Sequence, residues 1–107
     1  MRIRKKKWAR PELEECIYIL KEPTQNIGKW SKYFKSENPI YLDLGCGRGS
    51  FISKLASQNK DINFVAIDIK DDMLGYARRN IEEEYSGKEV NNVCLLAYDI
   101  ERIRRYI

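Results

Sequence analysis

Residues 41–50 read YLDLGCGRGS: a short apolar run, an acid at Asp43, then glycine at 45, 47 and 49. The run Ile40-Tyr41-Leu42-Asp43-Leu44 has the composition of a strand. The following Ser50 to Asn59 carries Phe51, Ile52, Leu55 and Ala56 at helical spacing, which predicts one apolar face. A strand, a loop of alternating glycines and a helix form the unit that brings backbone close to a nucleotide cofactor. Glycine permits positive φ and leaves no Cβ in the ligand's way.

The spacing narrows the ligand. A dinucleotide loop reads GxGxxG and would need glycine at position 50, where this chain has Ser50. No GK[ST] triplet follows the loop, so a Walker loop is excluded. A nucleoside carrying a charged amino-acid tail, such as S-adenosylmethionine, needs no pyrophosphate cradle. It needs an acid near its ammonium and sulfonium, and a second acid for the ribose diol.

Working outward, Asn63-Phe64-Val65-Ala66-Ile67-Asp68 predicts a second strand, apolar on both faces as a buried parallel strand is. Asp71-Asp72 predicts the cap of a helix whose stripe is Met73, Leu74, Ala77, Ile81 and Tyr85, ended by Ser86-Gly87. Asn92 to Ala97 predicts a third strand, and Ile100, Ile103 and Ile107 one face of a last helix. The order βαβαβα gives an α/β fold with a parallel, Rossmann-like sheet of three strands and flanking helices, half of a doubly wound domain. Asp43, Asp68 and Asp99 then stand at the carboxyl ends of successive strands, where open α/β sheets bind ligands. Asp68 suits the ribose diol and Asp99 the adenine amino group. Asp99 also suits an N-cap, and Asp43 a turn-stabilising hydrogen bond.

Upstream, Pro11-Glu12-Leu13-Glu14-Glu15 predicts a helix that fades before Pro23. Gly28-Lys29-Trp30 reads as a turn, with Trp30, Tyr33 and Phe34 as an aromatic cluster packed on the body. Two regions follow: residues 1–38, a basic arm with a helical region, and 39–107, a Rossmann-like half domain.

At 107 residues the chain carries at most one small domain. Its net charge of +4 is unevenly spread. Arg2, Arg4, Lys5, Lys6, Lys7 and Arg10 precede any acid, while the other 14 basic and 16 acidic residues leave the rest near −2. A basic arm followed by Trp8 suits a polyanion, with the indole available to stack on a base; a solvated tail accounts for the charge equally well. The chain contains no histidine, which excludes Ser-His and Cys-His catalysis within it. Cys16, Cys46 and Cys94 are odd in number and lack CxxC spacing, which argues against a disulfide framework or a zinc site and for a reducing cytoplasm. No apolar run has the length of a membrane span.

Taken in order, "MRIRKKKWA", "GKW", "NPIYLDLGCGRGSFI", "NKDINFVAIDI" and "NNVCLLAYDI" resemble the successive blocks of the bacterial tRNA (guanine-N7-)-methyltransferases, a class I S-adenosylmethionine-dependent family. The resemblance covers essentially the whole chain. It implies that Asp43, Asp68 and Asp99 contact the cofactor beside the backbone of Gly45, Gly47 and Gly49, and that tRNA is the substrate. Many relatives carry Glu at the first two of those positions. The family continues through a fourth strand to an Asp-Pro-Trp-Pro-Lys-x-Arg-His block facing guanine and tRNA. This chain ends at Ile107 before any such block, so the expectation is an N-terminal fragment or truncated product without catalytic residues. Ile40 to Leu44 would then be an apolar sheet edge open to self-association. Two other readings are a nicotinamide-dependent oxidoreductase fragment and a non-catalytic RNA-binding module using the arm.

Overall fold

In the computed structural model, residues 7–20 and 29–98 are described. The element order is α1 (Ala9–Glu14), β1 (Ile19–Leu20), α2 (Trp30–Phe34), β2 (Ile40–Leu44), α3 (Ser50–Gln58), β3 (Asn63–Asp68), α4 (Asp71–Tyr85) and β4 (Val93–Ala97). The strands form one parallel sheet in the order β1-β4-β3-β2. The three strands expected after residue 39 are present as β2, β3 and β4, in register from Ile40↔Asn63 and Phe64↔Val93 onward. The last predicted helix, with Ile100, Ile103 and Ile107, lies outside the described residues.

The period of the strands divides the core. Phe64, Ala66, Val93 and Leu95 face one side and pack with Ile52, Ala56, Leu74, Ala77, Ile81 and Tyr85 from α3 and α4. Val65, Ile67, Cys94 and Leu96 face the other side, where Trp30, Tyr33 and Phe34 of α2 lie against them. The aromatic cluster therefore packs on the body as expected, carried by the short helix α2, while Gly28 of the expected turn lies outside the described residues. Phe64, Val65, Ala66 and Ile67 are fully buried, which accounts for a strand with no polar face.

One strand joins those expected, and two local expectations are corrected. The helix opened near Pro11 ends at Glu14, and the chain then turns and adds β1 beside β4 (Ile19↔Leu95, Leu20↔Leu96). The Leu95 N–H donates to Tyr18 O at 2.7 Å, so a strand edge that would otherwise lack an acceptor gains one. Leu13, Cys16 and Tyr18 enter the same core as α3 and α4. On α3 the buried side is Ile52, Ser53 and Ala56, while Phe51 is 64% exposed; one residue of helix turns a side chain by about 100°, enough to carry it off the face. Asp71 and Asp72 do not cap α4. Its N-cap is Lys70, and Asp71 instead pairs with Arg10 at 3.2 Å.

Asn92 joins α3, α4 and β4. Its amide nitrogen donates to the carbonyls of Ala56 (3.1 Å), Asn59 (3.3 Å) and Ile62 (3.1 Å), and its oxygen accepts from the Tyr85 hydroxyl. Removing it would orphan several buried groups, at about 1–3 kcal/mol each. β2 is an edge strand: Ile40, Tyr41 and Leu44 are 43%, 40% and 49% exposed.

Candidate functional site

The glycine loop hangs from the end of β3. The N–H groups of Gly45 and Cys46 both donate to Ile67 O, at 2.8 and 2.9 Å. This ties the loop after β2 to the neighbouring strand end. Gly49 N–H closes the turn on Cys46 O at 3.1 Å, and Ser53 N–H donates to Gly49 O at 2.9 Å, starting α3. Asn80 of α4 donates its side-chain amide to Arg48 O at 2.8 Å, so the loop is held from the helix side as well.

Gly47 and Gly49 have φ of +57° and +73°. At Gly47 a Cβ would meet no heavy atom within 4 Å, so the crest of the loop is open. At Gly49 a Cβ would lie 2.6 Å from Ala77 Cβ and 2.8 Å from Ala77 Cα. That glycine lets α3 start against α4.

Asp68 is locked at the strand end. Its Oδ2 accepts from Gly47 N–H at 3.2 Å and its Oδ1 from Lys70 N–H at 3.0 Å, while its carbonyl accepts from Tyr98 N–H at 3.1 Å. Each carboxylate oxygen can accept more than one hydrogen bond, so an anchored Asp68 still has acceptor capacity for a diol. Asp43, one strand over, is half-buried, and burial raises its carboxyl above the usual 3.8. Between them, the Cys46 thiol is pushed up to about 12, first by burial and then by the Asp68 and Asp43 carboxylates. Cys46 is therefore a neutral wall of the site and not a nucleophile. Asp43, Asp68 and the open crest of Gly47 stand together at the carboxyl end of the sheet, and this set fits a nucleoside with a cationic tail: acceptors for hydroxyls, negative charge, and bare backbone. Asp99 lies outside the described residues.

Of the arm, Arg2, Arg4, Lys5 and Lys6 lie outside the described residues, and Lys7 is exposed. Trp8 is half-buried and already engaged. The Arg79 guanidinium lies 3.4 Å from its ring centre, and Tyr76 meets it edge-on at 5.0 Å. Arg79 also forms a forked pair with Glu12, at 2.6 and 2.9 Å, which lowers the Glu12 carboxyl pKa.

Sequence reasoning missed the contributions of Gly75, Tyr76 and Asn80. Gly75, inside a helix, was the available signal: a Cβ there would come 2.9 Å from the Trp8 ring and 3.0 Å from Ala9 Cβ, so the glycine seats α1. Tyr76 and Asn80, four apart on the same helix face, gave no comparable signal.

Comparison with known proteins follows the same outline. Residues 37–107 match a family described as putative methyltransferase. A tRNA (guanine-N(7)-)-methyltransferase of Clostridium botulinum (strain Eklund 17B / Type B) is 52% identical over 100% of this chain and 50% of its own length. The protein of the same description from Acetivibrio thermocellus is 51% identical, with the same coverage, and that from Clostridium beijerinckii is 53% identical over 94% of this chain and 47% of its own. The chain thus spans about half the length of the curated relatives it matches. A solved structure described as an antibiotic-related methyltransferase superposes with a TM-score of 0.55 at 21% identity, covering 69% of this chain and 37% of its own; at that identity the likeness is one of fold. Among the described residues, no helix is long and apolar enough to cross a membrane.

Proposed function

The chain belongs to the putative methyltransferase family matched over residues 37–107, and from that premise we propose that it carries the methyl-donor site of a cytoplasmic tRNA (guanine-N7-)-methyltransferase using S-adenosylmethionine. The observation that carries the reading is the pairing of an anchored Asp68 carboxylate with the open crest of Gly47, 3.2 Å apart at the end of the sheet. The relatives' shared description, at about half identity over the whole chain, supports the acceptor. The Ser50 position argues against a nicotinamide cofactor, because the dinucleotide loop wants glycine there.

When bound, the donor supplies an electrophilic methyl on a sulfonium. The residues of this chain hold its nucleoside and its charge. Asp68 accepts from the ribose hydroxyls, with its orientation already set by the Gly47 and Lys70 amides. Asp43 adds negative charge toward the cationic tail, and a cation there would reverse the burial effect that now raises its carboxyl. Asp99 is assigned to the adenine amino group. Guanine N7 has a free lone pair and no proton to lose, so the transfer asks for alignment and exclusion of water but not for a strong base.

The test is calorimetric titration of S-adenosylhomocysteine into the chain and into Asp68→Ala, with thermal melting of both. The wild-type chain binds, and the variant binds at least about 100-fold more weakly, as expected for losing two hydrogen bonds to a charged group. Undiminished binding by a folded Asp68→Ala would overturn the assignment.

A further inference from the structure

The glycine loop also carries a cation that the donor site does not use. Arg48 is exposed, and its guanidinium lies 4.5 Å from the centre of the Tyr76 ring. The other arginines among the described residues each meet a carboxylate: Arg10 meets Asp71 at 3.2 Å, Arg78 meets Glu82 at 3.8 Å, and Arg79 meets Glu12 at 2.6 Å. Among the described residues, no carboxylate pairs with Arg48. Its side chain runs toward α4, while the amide of its neighbour Gly47 is turned to Asp68. Tyr76, on which it rests, is the same ring that Trp8 meets edge-on at 5.0 Å, and residues 2–7, directly upstream of Trp8, include five positive charges in sequence. One aromatic pair therefore underlies both the loop cation and the root of the basic arm.

We propose that Arg48 binds an RNA phosphate beside the methyl-donor site, and that Tyr76 is the residue that positions it. A guanidinium stacked on a ring keeps its outward N–H groups aligned for a phosphate and loses less freedom on binding than a free side chain. Its place on the donor loop brings the polyanion to the cofactor without using the carboxylates. The inference rests on the proposed function for the identity of the polyanion as RNA.

The experiment is fluorescence anisotropy of labelled tRNA with the whole chain, between about 50 and 200 mM salt, alongside S-adenosylhomocysteine calorimetry on the same samples. In Arg48→Gln the slope of log K against log salt falls by about 0.7–0.9, the value of one phosphate contact, while cofactor affinity is unchanged. Arg48→Lys restores the slope. Tyr76→Leu keeps the slope but weakens RNA binding about two- to five-fold, because the charge remains and its cation–π support is gone. An unchanged slope in Arg48→Gln, or a wild-type chain whose RNA binding is absent or independent of salt, would overturn the proposal. So would a parallel loss of cofactor affinity, which would mean that Arg48 meets the carboxylate of the donor's amino-acid tail. Failure of the wild-type chain to bind S-adenosylhomocysteine, with the Arg48-dependent salt slope intact, would instead break the donor-site reading and leave the phosphate contact standing.

Discussion

Gly47 and Gly49 lie two residues apart in one loop, and both have positive φ. They serve different neighbours. Gly49 is buried, with its α-carbon pressed toward Ala77, so its missing side chain is a condition of packing α3 on α4. Gly47 faces open space while its amide holds Asp68, so its missing side chain leaves room for something that is not protein. The same residue type thus serves packing on one side of the loop and leaves an open surface on the other, and the distinction is a matter of what lies within 4 Å.

That contrast is sharpest in substitutions. Gly49→Val is expected to have the largest effect. It adds left-handed strain of about 1–2 kcal/mol to overpacking of about 1–3 kcal/mol against Ala77, a large share of the roughly 5–15 kcal/mol that holds a small domain folded. Denaturant unfolding followed by circular dichroism reads it directly; near-wild-type stability would mean that α3 and α4 can separate freely. Gly47→Ala comes next. Only the strain of about 1–2 kcal/mol applies, since its Cβ finds no neighbour within 4 Å, yet S-adenosylhomocysteine affinity falls because the methyl occupies the approach to the crest. A Gly47→Ala chain that loses stability as Gly49→Val does, or that binds the cofactor normally, would erase the distinction.

The smallest effect separates charge from shape. Burial raises Asp43 above its unfolded value of 3.8, so between the two values the folded chain holds the proton more tightly than the unfolded one. Stability therefore falls as pH rises through that window, and ionised Asp43 weighs against folding at neutral pH. Asp43→Asn is expected to raise the melting temperature at pH 7 slightly, with the difference vanishing below 3.8, while weakening the cofactor. Melting curves at pH 3 and pH 7 check the sign. A variant less stable at pH 7 would show that Asp43 has a structural partner.

The apolar strands were legible because burial on both faces leaves a continuous run: Phe64 to Ile67 and Val93 to Leu96 could belong nowhere but the middle of a sheet. The stop at Ser86-Gly87 was equally legible, since both take positive φ there. β1 was not. Two residues carry no periodicity, and Ile19-Leu20 become a strand only because β4 presents an edge beside them. Phe51 misled for a related reason, because helical spacing gives a stripe but not the angle at which the helix docks.

The site divides along the same line. Alternating glycines after an apolar strand, with acids at successive strand ends, require no tertiary contact to be recognised, since backbone stereochemistry alone limits what such a loop can do. Which glycine faces open space, that Asp68 is clamped by two amides, that Trp8 is held by Arg79 and Tyr76, and that Arg48 shares the Tyr76 ring follow only from the packing of α4 against the loop and α1. Those contacts join residues distant along the chain, and no local pattern encodes a distance that folding alone creates.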